Sequence, residues 1–341
     1  MMDPRKIDGH KLHLHPDRVQ EWREGKQIYP IYVEVSPTSI CNFKCSFCAL
    51  DFMKRGPSLE INDILAAIRE MASLGVKSIM FAGEGEPLIY KDFLPMALGA
   101  KQNGIDISLT TNGSLMPQEL SYNLLPIMSW IKVSLCSTVL STFNSISGFD
   151  RMLGARMLGQ VILNIYEAVE IRNKFKHKCD IGIQMLVTEE NVADIYHTII
   201  TAREIGVDYI VLKQYSHHPS SINQHVTPPL PDYTLMSTDR FKVIQRHQVF
   251  GHNYDKCYAL PFWSYIASNG EVYACSSHIP DPRFYLGSIY ENTLKYIWDK
   301  DNYVLVNSAI DVAQCRTNCR MDACNEYLHE LMNPGQHVNF I

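Results

Sequence analysis

Cys41-Asn42-Phe43-Lys44-Cys45-Ser46-Phe47-Cys48 gathers three thiols into one short segment. Their three-then-two spacing suits an iron–sulfur cluster and leaves one iron without a protein ligand, which is the position where chemistry can occur. Cubane clusters ordinarily take four Cys ligands, and the next cysteine is Cys136. A non-protein group would then complete the coordination. A zinc site or buried structural thiols are the alternatives, since free Cys is a common small core residue. Zinc asks for four ligands, however, and no His is spaced nearby to supply one. A second segment, Phe81-Ala82-Gly83-Glu84-Gly85-Glu86-Pro87-Leu88, reads either as an ordinary glycine-rich turn or as a ligand-binding loop. It lacks the lysine of a phosphate loop and the glycine spacing of a dinucleotide fingerprint.

The cysteine spacing resembles the signature of the radical S-adenosylmethionine (radical SAM) superfamily, in which the amino and carboxylate groups of SAM chelate the fourth iron. The resemblance implies that a reduced 4Fe-4S cluster cleaves SAM and that the resulting 5′-deoxyadenosyl radical takes a hydrogen atom from substrate. It also implies an electron donor of the flavodoxin or ferredoxin type. Gly85, Glu86 and Pro87 match the family's Gly-Glu-Pro motif. The motif implies close backbone approach at Gly85 and a charge-assisted acceptor at Glu86 for the methionine ammonium. Thr111, Asn112 and Ser134 stand where relatives contact the SAM carboxylate, ribose or adenosine, and Phe47 resembles the aromatic that packs near adenine.

These residues need a scaffold, and the chain supplies a regular one. Short β-branched runs at 31–36, 78–82, 106–111, 130–135, 180–187 and 209–213 alternate with helical patterns at 61–74, 91–103, 116–127, 155–174 and 192–205. Such alternation predicts a parallel sheet covered by helices. Six strands fit an α/β fold, a partial (β/α)6 TIM-like barrel over residues 30–227, with its chemistry at the carboxyl ends of the strands. Residues 1–29 read as an N-terminal extension whose His10, His13 and His15 form an extended or solvent-facing arm, and the proline-rich start of 228–254 reads as a linker. The extension leaves no room for a separate peptide-recognition domain before the first strand.

Within residues 255–341, Tyr265 to Cys275 reads as two strands around an Asn-Gly turn. With Cys257 before it, Cys275 at its end and Cys315, Cys319 and Cys324 beyond, the segment resembles the auxiliary-cluster domains called SPASM and, in shortened form, Twitch. Five cysteines there imply one auxiliary 4Fe-4S cluster. The three-then-four spacing of the distal triplet departs from the fuller motif, so the ligand set stays open, with zinc as the alternative. Cys179, before the fifth strand, reads as structural.

Cys136, just past the fourth strand, is either a thiol facing substrate that donates a hydrogen atom or a small buried residue. Lys213, Gln214, Tyr215, His217 and His218 after the sixth strand form a polar set suited to a hydroxyl-rich or anionic substrate, or a solvated loop. The chain has 341 residues, a formal net charge of −5 and no apolar run of membrane-spanning length. These features argue against bulk nucleic acid and membrane as partners. Ten cysteines without an apolar segment at Met1–Lys6 predict reduced thiols and a cytoplasmic enzyme. The function expected is radical SAM chemistry on a small polar metabolite such as a sugar, nucleotide sugar or aminocyclitol, by dehydrogenation, epimerisation or dehydration. Maturation of a peptide or protein is the alternative, and a non-enzymatic iron–sulfur scaffold is a third reading.

Overall fold

The structure, a computed structural model, describes residues 9–53, 55–215, 218–246, 251–316 and 318–339. Ten strands form one sheet: β1 (Tyr32–Val35), β2 (Ser78–Phe81), β3 (Asp106–Thr111), β4 (Met128–Ser134), β5 (Asp180–Val187), β6 (Tyr209–Gln214), β7 (Lys242–Gln245), β8 (Trp263–Ile266), β9 (Glu271–Tyr273) and β10 (Tyr285–Ser288). Their order is β10-β9-β8-β1-β2-β3-β4-β5-β6-β7. From β8 through β1 to β7 every pairing is parallel, whereas β9 and β10 run antiparallel. The carboxyl ends of β1 to β8 therefore lie on one side of an open, partial barrel.

Helices α1 (Pro16–Arg23), α2 (Ile61–Ser73), α3 (Phe93–Gln102), α4 (Gln118–Leu124), α5 (Leu140–Ser147), α6 (Arg151–Phe175) and α7 (Ile195–Ile205) precede β7, and α8 (Leu294–Ile297), α9 (Lys300–Ser308) and α10 (Asp322–Met332) follow β10. Alternate strand residues, among them Val33, Val35, Ile79, Phe81, Ile131, Val133, Ile181 and Ile183, are fully buried on the face that meets the helices. On α2 the residues facing them are Ile64, Ala67, Ile68 and Met71. Each large apolar side chain buried this way contributes roughly 1.5–3 kcal/mol. The helix stops at Gly75, whose φ of +85° only glycine adopts readily.

Two expectations change. The stretch expected to be a linker contains β7, which pairs with β6 from Tyr209↔Lys242 to Leu212↔Gln245. The expected six strands are likewise extended on the other edge, where β8 of the C-terminal segment pairs with β1. The auxiliary segment thus grows out of the barrel sheet. The N-terminal extension is helical and docked: Leu12, Val19 and Ile28 pack with Leu328 of α10, and His10 stacks on Tyr327 at 4.4 Å. Among the described residues no helix is long and apolar enough to cross a membrane.

Candidate active site

The loops after β1, β2 and β3 are knotted together by hydrogen bonds that converge on Glu86. Its buried carboxylate accepts from the Thr111 hydroxyl (2.6 Å), the Asn112 N–H (2.6 Å) and the Leu88 N–H (3.1 Å). Burial raises its pKa above the usual carboxylate range, and the three donors oppose that rise. Asn112 in turn donates to Asn42 at 2.8 Å, beside Cys41. Gly85 is required by proximity: a Cβ there would lie 2.3 Å from the Ile40 carbonyl and 2.7 Å from that of Thr38. Both are backbone atoms of the cysteine loop and cannot rotate away.

This wiring yields a testable consequence. Glu86→Gln puts an amide N–H where the carboxylate accepts, against a backbone donor, and should cost on the order of 1–3 kcal/mol. We expect a lower Tm together with weaker SAM binding by calorimetry. Wild-type values for both would remove Glu86 from this role.

Cys41, Cys45 and Cys48 are each half-buried at the strand ends. Burial pushes the Cys45 thiol up, and nearby Cys136, Cys41 and Cys48 push it further, a crowd of thiols that a bound iron cluster would hold as thiolates. Arg55 donates to Cys48 Sγ at 3.6 Å and to the carbonyls of Ser39 and Glu84. Phe47 is half-buried against the core, Pro87 is buried, and Ser134 stands exposed at the end of β4.

Cys136 lies just past β4, near Cys45. It is buried in the core, its thiol pushed up to about 11 by burial, with Sγ 3.7 Å from Ser147 Oγ. The strand ends at Ser134, and α5 begins at Leu140. Cys179 is buried, its thiol donating to the Asp180 carbonyl.

Past β6 the polar set divides. Lys213 is half-buried on one face of the strand, whereas Gln214 lies on the other, opposite fully buried Val187. Tyr215 is buried and donates to the Asn223 carbonyl. His218 is buried against Phe52, ring centroids 4.7 Å apart, and burial holds its pKa down to about 4. His217 lies outside the described residues. The loop that follows is latched onto the cysteine loop. Asp51 accepts from the N–H groups of Ile222 (3.0 Å) and Asn223 (2.7 Å) and from Ser221 Oγ (3.2 Å), and His225 Nε2 meets the Ser46 carbonyl at 3.0 Å.

A second group of thiols lines one pocket in the C-terminal segment: Cys257, Cys275, Cys315 and Cys319, walled by Leu260, Trp263, Phe284 and Val312. Burial raises the Cys257 pKa, and Cys319, Cys275 and Cys315 add to it. Cys319 Sγ accepts from the Met321 N–H at 3.4 Å, and Cys257 Sγ accepts from Asn325 at 3.6 Å. Cys324 is not part of this pocket. On the first turn of α10 it packs against the small core that holds Val19, Ile28, Phe262 and Leu328, and burial alone lifts its thiol to about 12. Among the described residues no three His, Cys, Asp or Glu side chains converge on a single metal ion.

Several contributors were not singled out from the sequence. Glu84, read as part of a glycine-rich turn, is buried and accepts from Tyr265 Oη (3.1 Å) and from Ser268 N–H (3.1 Å) and Oγ (2.5 Å), tying the loop after β2 to the β8–β9 hairpin. Inside the barrel, Glu34 of β1 is ion-paired with Arg320, whose guanidinium also lies 5.5 Å from the Trp263 ring. A signal existed for Glu34 and Lys132: each is a lone charge inside an otherwise apolar buried strand, where desolvation is costly unless the charge has a task.

Comparison with known proteins agrees with this geometry. The radical SAM superfamily matches residues 35–135, and the iron–sulfur cluster-binding SPASM domain matches residues 257–325. The chain belongs to the radical SAM superfamily and carries a C-terminal SPASM domain, the auxiliary-cluster domain. It is an enzyme of that superfamily, with a 4Fe-4S cluster, SAM and an auxiliary cluster as its cofactors.

Among relatives, "Probable GTP 3',8-cyclase" of Saccharolobus islandicus (strain M.14.25 / Kamchatka #1) is 27% identical over 233 residues, 67% of this chain and 70% of the relative. "GTP 3',8-cyclase" of Actinobacillus pleuropneumoniae serotype 5b is 32% identical over 146 residues, 41% of this chain and 43% of the relative. The fold is similar to that of Streptococcus suis SuiB bound to precursor peptide SuiA (TM-score 0.67, 16% identity, 90% of this chain and 75% of that one). It is also similar to anSMEcpe with bound AdoMet and Cp18Cys peptide (TM-score 0.59, 17% identity, 82% of each chain).

Proposed function

We infer that the enzyme uses SAM to abstract a hydrogen atom from a small polar metabolite held inside the barrel, between the Cys41/Cys45/Cys48 loop and the pocket of Cys257, Cys275, Cys315 and Cys319. When bound, the cluster and SAM supply a 5′-deoxyadenosyl radical, and the auxiliary cluster supplies a second redox centre. The first three thiols hold one cluster and the other four hold the second, a full Cys set of the kind cubanes take. Cys324 is left as packing. Glu86, Thr111 and Asn112 act as positioning residues that fix the SAM-facing loops, while Ser134 and Lys213 line the space open to substrate.

The observation that carries the metabolite reading is the latched loop after β6. Tied to Asp51 and Ser46, it is fixed against the cysteine loop, and in this reading it helps keep water and stray hydrogen donors from the reacting centre and narrows the room for a peptide. The relatives named GTP 3',8-cyclase support a metabolite of nucleotide type, whereas the structures bound to peptides favour the alternative of peptide maturation. In this reading the chain works in a reducing compartment with a flavodoxin- or ferredoxin-type donor.

The test is substrate-dependent 5′-deoxyadenosine formation by anaerobically reconstituted enzyme, using nucleotides, sugar phosphates, aminocyclitols and unrelated peptides. Stimulation by a metabolite supports the reading. Stimulation by peptides alone overturns it.

A further inference from the structure

Lys132 of β4 pairs in register with Gly182 of β5, and Lys213 of β6 pairs with Leu186 of the same strand. Both lysines stand on the sheet face away from the helices, the face that also carries Glu34. Arg246, beyond β7, and Arg316 and Arg320, from the auxiliary-cluster loop, act electrostatically on these lysines. The carboxylate that meets this group is Glu34, already ion-paired with Arg320. Arg316 Nε is buried without a hydrogen-bond partner, and its charge is balanced in part by Cys319 and Cys275. Arg246 has partners of its own and adds charge. Lys132 and Lys213 are then two half-buried lysines with cations as their main charged neighbours. Lys132 has the Trp130 ring, 5.3 Å away, as further company.

Burying cations without counter-charge is costly, and a fold that gathers several at the carboxyl ends of its strands has placed them for a ligand. We propose that Lys132 and Lys213, backed by Arg316 and Arg320, cradle the anionic part of the substrate, so that the metabolite is a polyanion carrying linked phosphates or several carboxylates. This deepens the metabolite reading above and rests on it.

Protonation supports the geometry and gives it a signature. Burial, together with Arg246 and Arg320, holds Lys132 down to about 7, and Glu34 opposes the shift. Burial and the charges of Arg316, Arg320, Arg246 and Lys132 push Lys213 well below the usual lysine range. In the free enzyme above pH 7, Lys132 is therefore mostly neutral. An anion favours its charged form, so binding at pH 8 takes up protons, and affinity falls as pH rises.

The experiment uses the reconstituted full chain with SAM. Pyrophosphate and, separately, citrate are titrated by calorimetry at pH 8 in two buffers of different ionisation enthalpy. We expect saturable binding of at least one anion with proton uptake, and the one preferred distinguishes phosphate from carboxylate chemistry. Lys132→Met/Lys213→Met should weaken binding roughly tenfold to a hundredfold, the scale of lost charge-assisted hydrogen bonds. Iron content and SAM binding in the same sample report folding. If the double variant fails to fold, Lys132→Gln alone should still lower the proton uptake below the wild-type value.

Failure of wild-type enzyme to bind either anion, or wild-type affinity and proton uptake in the variants, overturns the proposal. If anion binding fails while a metabolite still stimulates SAM cleavage, the cradle is wrong and the metabolite reading stands. A response to peptides alone removes the metabolite reading whatever the lumen binds.

Discussion

Replacing Cys41, Cys45 and Cys48 together by Ala is expected to abolish reductive SAM cleavage and to remove about half of the iron, roughly four of about eight atoms for two cubane clusters. The argument is local. The three thiols occupy one loop after β1, half-buried where the strand ends open, and the loops carrying Glu86 and Asn112 brace that segment rather than supply further ligands. The second group of thiols lies across the β8–β9 hairpin and binds independently, so its share of iron should survive. Iron analysis and chromatography of 5′-deoxyadenosine check both halves. Wild-type cleavage by the triple variant would place the reactive cluster elsewhere.

Cys319→Ala and Cys324→Ala should behave as opposites although only four residues separate them. Cys319 lines the pocket with Cys257, Cys275 and Cys315, so its loss should strip the auxiliary cluster, about half of the total iron. Cys324 packs against the small core between α1 and α10 that holds Val19 and Leu328. Its loss should leave iron content intact and cost about 1 kcal/mol of stability, the scale of a small core truncation. Mössbauer spectra with a Tm for each variant decide the matter. Loss of auxiliary iron in Cys324→Ala, with retention in Cys319→Ala, would reverse the ligand assignment.

That pair of cysteines shows where the sequence was legible and where it was not. Spacing within one loop reports a shared site directly, so Cys41, Cys45 and Cys48 could be grouped by inspection. Cys257 and Cys319 come together only through the folded β8–β9 hairpin and the start of α10, and spacing alone gave no reason to prefer Cys319 over Cys324. The helix decides: positions 324, 327, 328 and 331 share the stripe turned toward α1, whereas Asn325 turns toward Cys257.

The strands were readable because β-branched runs in a parallel sheet are apolar on both faces, and β2, β3, β5 and β6 fall within a residue of the expected bounds. β7 was not readable, because Lys242-Val243-Ile244-Gln245 is short and carries one buried side chain. The Glu84 link to Ser268 and the Asp51 latch join residues more than 160 positions apart, which no local pattern reveals. Cys136 had two readings at a strand end, and the choice between them depends on what packs over it: the structure shows it buried, with Ser147 of α5 beside its thiol.

The most direct measurement is anaerobic incubation of the reconstituted protein with dithionite and SAM, with quantification of 5′-deoxyadenosine and methionine. The account predicts both products in equal amounts, dependent on reductant and absent from the Cys41/Cys45/Cys48 variant. Fully iron-loaded protein that binds SAM yet leaves it uncleaved under reductant, alone and with every candidate substrate, would contradict it.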